Sequence, residues 1–161
     1  MALFIKFDGV DGEANDKDHK AWTDLQSCSW GMHEAAAGAT GQTRRRGVAT
    51  VEDVCCTKEF DKSSPKLAEA VLSGKVFPKV EIHDTTTYGD GARATFLKYE
   101  LKNVMVSSYQ TAGVSAGDAV PTDSFSLNFE EVKQTYVEYD AKGKKKGNVE
   151  FGWKVEEGEK A

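Results

Sequence analysis

The sequence predicts an all-β fold, mainly antiparallel: a β-barrel or a two-sheet sandwich with one accessory α-helix. Three observations predict it. Apolar and polar residues alternate with period two along the chain, most clearly where Val149, Phe151, Trp153 and Val155 alternate with Glu150, Gly152, Lys154 and Glu156, and this repeat gives a strand one apolar face. Gly-, Ser- and Asp-rich breaks separate the alternating runs, as turns between strands do. Only one segment carries helix signals at both ends. The 161 residues suit a single domain spanning 1–161, since a domain of about 150 residues buries roughly 70% of the surface its unfolded chain exposes.

The first strand opens near the N-terminus, where Leu3, Ile5 and Phe7 alternate with Phe4 and Lys6. A polar turn around residues 12–16 follows, and the chain returns through Trp22 to a second strand ending Ser29-Trp30-Gly31-Met32. There Cys28, Trp30 and Met32 are the bulky members and are expected to fill the core, which sends Ser27, Ser29 and Gly31 to the opposite face. Residues 33–47 are small and polar, include Arg44, Arg45 and Arg46, and show no apolar period; an extended loop is expected. Residues 48–57 are β-rich, with Val48 and Val54 on one parity and Val51 on the other.

The helix is expected over residues 65–73. Ser64 stands at the N-cap, Pro65 in the first turn and Gly74 at the left-handed C-terminal position. Leu67, Ala68, Val71 and Leu72 form its apolar stripe. A strand over 75–84 follows, with Val80 and Ile82 alternating against Glu81 and His83, and with Pro78 near its start. Long strands over 95–107 and 124–139 flank a Gly-, Ser- and Asp-rich loop at 112–123. A phase slip near Glu130 and Glu131 predicts a bulge. A lysine-rich turn at 140–148 leads to the last strand, whose alternation predicts one buried face.

Composition excludes several classes of function. Twenty-one basic against 26 acidic residues give a net charge of -5, which opposes global attraction to nucleic acid or to an anionic membrane. No apolar run approaches the roughly 18 residues of a spanning helix, so no membrane insertion is expected. The N-terminus lacks the features of a secretory signal. Cys28, Cys55 and Cys56 form an odd set whose neighbouring pair points to opposite faces of a strand, so reduced, partly buried thiols are expected rather than a disulfide framework.

His19, His33 and His83 have no metal-ligand spacing and read as surface residues. There is no C-x-x-C. Asp8-Gly9-Val10-Asp11-Gly12 lacks the remaining pattern of a calcium loop and reads as a turn. The basic runs at 44–46 and 142–146 have no interleaved aromatics on which bases could stack. No enzyme activity, metal or cofactor is expected.

Residues 4–32, reading FIKFDGVDGEANDKDHKAWTDLQSCSWGM, with EFDKSSPKLAEAVLSGK at 59–75 and VEFGWKV at 149–155, resemble the haemolysin-coregulated protein family, the tube subunit of bacterial type VI secretion systems. The resemblance runs nearly end to end. Its matching blocks include Phe4 to Lys6, Gly12-Glu13, Ser29 to Met32, Asp61 to Ser63, Ser73 to Lys75, Ser107-Ser108 and Gly152-Trp153. The Arg44 to Arg46 run and the Cys55-Cys56 pair depart from the family pattern.

The resemblance implies a homo-hexameric ring that stacks into the inner tube, carries effector proteins in its lumen and is expelled by a contractile sheath together with spike proteins. It implies a bacterial cytoplasmic protein that leaves through its own machine without a signal peptide. Because the chain ends soon after its last strand, a plain structural subunit with no fused effector is expected. Ser27, Ser29 and Gly31 are then expected to line the lumen and touch cargo, and Arg44, Arg45 and Arg46 to form a ring or subunit contact. The alternative is a monomeric β-barrel that binds a small ligand in an internal pocket.

Overall fold

The computed structural model describes residues 1–34, 49–89 and 91–161. Its strands are β1 (Ala2–Phe7), β2 (Thr23–Leu25), β3 (Ser27–Ser29), β4 (Met32–Glu34), β5 (Ala49–Val51) and β6 (Val54–Glu59). They are followed by helix α1 (Ser64–Ser73) and then β7 (Val76–Thr87), β8 (Arg93–Ala112), β9 (Thr122–Asn128), β10 (Glu131–Tyr139), β11 (Lys145–Lys154) and β12 (Glu159–Lys160). The ladders between these strands are antiparallel. One layer runs β12-β11-β10-β8-β7-β1-β2 and the other β3-β6-β9-β8. The ladder does not close between β2 and β6, so of the two expected architectures the sandwich describes the fold and the barrel does not.

Strand β8 joins the layers. Along one edge it pairs with β7; along the other it pairs with β10 as far as Lys102 and with β9 from Met105 onward. At the changeover Asn103 takes a positive φ of 52°, a conformation that Asn tolerates better than most residues. Its side-chain amide donates to Glu130 Oε2 at 2.8 Å, and Glu130 N donates to Lys102 O at 3.1 Å. The phase slip predicted as a bulge at Glu130 and Glu131 is therefore a corner: β9 ends, the chain turns, and β10 begins on the other layer. Pro78 lies between the paired residues Phe77 and Lys79 of β7, a place where its missing N–H is tolerated beside the irregular backbone of β8.

The core lies between the layers. Ile5 and Phe7 of β1, Phe77, Val80 and Ile82 of β7, and Leu101 and Val104 of β8 meet Val54 and Cys56 of β6 and Phe125 and Leu127 of β9. The Phe7 ring centroid sits 5.2 Å from that of Phe77 and 6.0 Å from that of Phe125, the tilted geometry that aromatic quadrupoles favour. Gly12 is required by close approach: a Cβ there would stand 2.3 Å from Thr23 Oγ1 and 2.4 Å from Trp22 O.

Helix α1 packs Leu67 and Ala70 against the sheet, with Gly74 ending it at φ 66°. Two details differ from expectation. The N-cap is Ser63, without a side-chain capping bond. Ser64 instead turns inward, where its hydroxyl donates to Asp123 and accepts from Lys58 Nζ at 2.6 Å. Leu72 is 89% exposed, because α1 buries a stripe centred on Ser64, Leu67 and Ala70 rather than one extending to residue 72.

Other expectations shift in the same way. The second predicted strand is three short strands, because Gln26 interrupts the pairing and Trp30-Gly31 separates β3 from β4. His33 and Glu34, expected in a loop, belong to β4, which pairs with β5. The rest of the expected 33–47 loop, with Arg44, Arg45 and Arg46, lies outside the described residues.

Candidate functional site

Parity along β3 carries through into space. Cys28 faces inward opposite Cys56, whereas Ser27 and Ser29 point out opposite Thr57 and Cys55. The next strand continues the outer face with Ser124 and Ser126, and β8 adds Ser108 and Gln110. The result is a shallow surface of small, uncharged polar side chains. Its hydroxyls are knitted together: Ser27 Oγ to Thr57 Oγ1 at 2.6 Å, and Ser126 Oγ to Ser107 and Ser108 at 2.7 and 2.6 Å. At one end Asp53 accepts from Ser107 Oγ at 2.7 Å and from Asn128 Nδ2 at 3.0 Å. Such a face offers hydrogen bonds everywhere and no deep apolar hold. Gly31 does not belong to it: it lies beyond β3, where its carbonyl accepts from Glu52 N at 3.0 Å.

A second surface is apolar. Trp30, Met32, Ala49, Val51, Val132, Phe151 and Trp153 line a crevice open to solvent. Trp30 is half-buried, with its Nε1 donating to Glu52 O at 3.1 Å and its ring 5.9 Å from Tyr99 and 6.4 Å from Phe151. Met32, expected in the core, is 52% exposed, because β4 leaves the sandwich to pair with β5.

The buried face predicted for the last strand also needs correction. Its alternation is real, and Trp153 and Val155 pack on the core, but Phe151 is 40% and Val149 74% exposed. Together with Tyr136, which is opposite Val149, they extend the apolar face past the end of the core. Beside them β11 pairs with β12 only at Trp153 and Lys154, so much of its outer edge has no strand partner among the described residues.

Sequence reasoning missed a cluster on the far side of the sheet. Phe4, off the core parity, is buried by His19, whose ring stacks on it at 4.5 Å. His19 Nδ1 donates to Asp16 Oδ2 at 2.7 Å, and its Nε2 shares a 2.9 Å hydrogen bond with His83 Nδ1. Arg93 bonds the other oxygen of Asp16, and Glu81 lies 3.3 Å from His83 Nε2. His19 and His83 are thus not the surface residues expected; His33 is exposed. Burial, reinforced by the charge of His19, lowers the pKa of His83 to about 4. The hydrogen bond from His19 is the main cause holding the Asp16 carboxyl below its usual range, with Arg93 adding to it against the cost of burial. The signal that could have found this cluster is Asp16-x-x-His19 facing a strand position that carries a third polar residue, but only the register reveals it.

Among the described residues, no three His, Cys, Asp or Glu side chains are grouped to hold a metal, and no helix is long and apolar enough to cross a membrane. The arrangement can offer surfaces, and its ionisable groups form internal ties.

Comparison with known proteins points the same way. The family described as "Type VI secretion system effector, Hcp" matches residues 4–136. Protein hcp1 of Pseudomonas aeruginosa is 35% identical over 154 residues, covering 95% of this chain and 94% of the relative. Among solved structures, one titled "Structure of a type six secretion system protein" superposes with a TM-score of 0.92 at 33% identity, covering 99% of both chains. Hcp1 from Salmonella typhimurium shares the fold, with a TM-score of 0.77 at 24% identity over 99% of this chain and 98% of that one. The chain belongs to the Hcp family of type VI secretion proteins.

Proposed function

We propose that this chain is the repeating subunit of the type VI secretion tube: one domain that closes with identical copies into a hexameric ring, stacks, and carries effector proteins through the lumen. The observation that carries the reading is the pairing of a family match along most of the chain with an apolar face, Tyr136, Val149 and Phe151, that the described residues leave exposed beside a strand edge with no partner among them. Exposed edges invite another chain, and a head-to-tail contact whose rotation closes satisfies every edge without a free end. A second copy is the natural cover because the surface is part of every subunit.

In this reading the hydroxyl face around Ser27 and Ser29 lines the lumen. Small, hydrated, uncharged side chains let cargo ride and be released, whereas exposed aromatics would hold it. Gly31 lies at the rim of that strand rather than within the face. Arg44, Arg45 and Arg46, basic on an acidic chain, contact carboxylates of a neighbouring subunit or ring. The sheath drives the tube and the spike leads it, and export through the machine dispenses with a signal peptide.

The experiment is negative-stain imaging of the wild type and of Phe151→Lys. Class averages with six-fold symmetry and a central opening are expected for the wild type. Phe151→Lys, which places a charge in the apolar contact, is expected to leave folded monomers. Rings that persist unchanged in Phe151→Lys would remove this face from the contact.

A further inference from the structure

Cys28 and Cys56 stand directly opposite each other across the antiparallel pair of β3 and β6. Residues in that relation hold their Cα atoms about 4.5–5.5 Å apart, within the roughly 4.4–6.8 Å of Cα separation that disulfides bridge. Both side chains are on the core side of the sheet. Cys56 is buried, Cys28 is half-buried and reachable from solvent, and both are free thiols. The third cysteine is excluded by parity: Cys55 faces out onto the hydroxyl surface opposite Ser29, and adjacent residues of a strand point to opposite faces.

We propose that Cys28 and Cys56 are a redox-active pair that closes to an intrachain disulfide when the protein meets a low-molecular-weight disulfide, with Cys28 attacking and Cys56 resolving. The neighbouring Cys56 thiol, as a donor, lowers the Cys28 thiol from its ordinary range, and Cys28 together with burial holds Cys56 well above. The thiolate is the nucleophile in exchange, so the more accessible sulfur is also the readier one.

With oxidised glutathione as the partner, the Cys28 thiolate attacks one glutathione sulfur, forming a mixed disulfide and releasing one glutathione thiolate. Cys56 then gives up its proton and attacks the Cys28 sulfur, expelling the second glutathione thiolate. Two protein thiols lose two electrons and two protons, and one glutathione disulfide becomes two thiols. The bond closes a covalent loop over residues 29–55, which includes the β4–β5 pair and the arginine run, and it staples β3, one wall of the hydroxyl face, to its neighbour. The occasion for oxidation, passage from a reducing cytoplasm to oxidising surroundings, rests on the secretion reading. The chemistry of the pair does not, and it is tested on the purified chain.

The full-length protein is equilibrated under native conditions with oxidised and reduced glutathione at a series of ratios and quenched in acid. Remaining thiols are alkylated, and intact mass and peptide maps are recorded. The wild type and Cys55→Ser are expected to lose two thiols together and to yield one linked peptide pair containing residues 28 and 56. Cys56→Ser is expected to stop at a glutathione adduct on Cys28, and Cys28→Ser to leave Cys56 alkylatable. The oxidised wild type should unfold at higher urea than the reduced form, because the cross-link restricts the unfolded chain. Three alkylatable thiols in the wild type at the most oxidising ratio, a dominant pairing that uses Cys55, or a bond between chains would overturn the proposal. So would an adduct on Cys56 in Cys28→Ser. The wild-type result stands even if a serine variant folds poorly.

Discussion

Replacing Lys58 with Met removes the cation from the most deeply buried polar cluster in the protein. Lys58 and Asp123 are both fully buried, and Lys58 Nζ donates to Asp123 Oδ2 and Asp61 Oδ1, each at 2.9 Å, as well as to Ser64 Oγ at 2.6 Å. Burial alone would raise the Asp123 pKa, but hydrogen bonds from Ser64, Lys58 and Tyr109 outweigh it and hold the carboxyl below its usual range. Burial and the same carboxylate push the Tyr109 phenol up to about 12. Methionine keeps the apolar stem, so little packing is lost; what remains is a carboxylate in a dry site without its cation. Removing one partner of a buried pair costs about 3–5 kcal/mol. Asp123 keeps its hydroxyl donors, which places Lys58→Met near the lower end, about 3 kcal/mol. A chain of this size loses roughly 2–4 °C of Tm per kcal/mol, so Tm should fall by about 6–12 °C. Adding Asp123→Leu should recover at least about 1.5 kcal/mol, as coupled neighbours do. Urea unfolding followed by tryptophan fluorescence, at one fixed protein concentration, measures both. A cost below about 1 kcal/mol for Lys58→Met, or additive costs in the double variant, would refute the argument.

Two further outcomes follow from the same geometry. His83 ordinarily titrates at 6.5 but at about 4 in the fold, so the unfolded chain takes up its proton first. Its contribution is complete above about pH 6.5 and is lost as pH falls toward 4, amounting to about 2 kcal/mol after discounting for partial solvent contact. Urea midpoints that stay flat from pH 7 to pH 4.5 would contradict this. Ser29→Gln should leave rings intact while reducing co-purified cargo several-fold, since one longer side chain from each subunit narrows and roughens the lumen; unchanged cargo retention, measured by quantitative mass spectrometry of purified rings, would place Ser29 elsewhere.

How much could be read from the sequence depends on how local each signal is. Strand alternation in β1, β7 and β11, the Pro65 and Gly74 ends of α1, and the parity that separates Ser27 and Ser29 from Cys28 all lie within a few residues, and all were legible. The burial of His19 and His83 was not, because it depends on a loop folding back over Phe4. The Ser64 N-cap failed because Lys58 and Asp123, distant in sequence, offer its hydroxyl stronger partners than the helix end does. Phe151 and Val149 show the remaining limit: period two reveals that a face is apolar, not which molecule covers it. Met32 misled for a related reason, since β4 leaves the sheet after Trp30-Gly31 and carries the methionine with it.

Native mass spectrometry of the purified chain tests the central claim most directly. A subunit of 17.6 kDa that closes into a ring should appear across micromolar concentrations as a species of six times that mass, with stacked multiples as concentration rises. A spectrum containing only monomer over the same range would contradict the account.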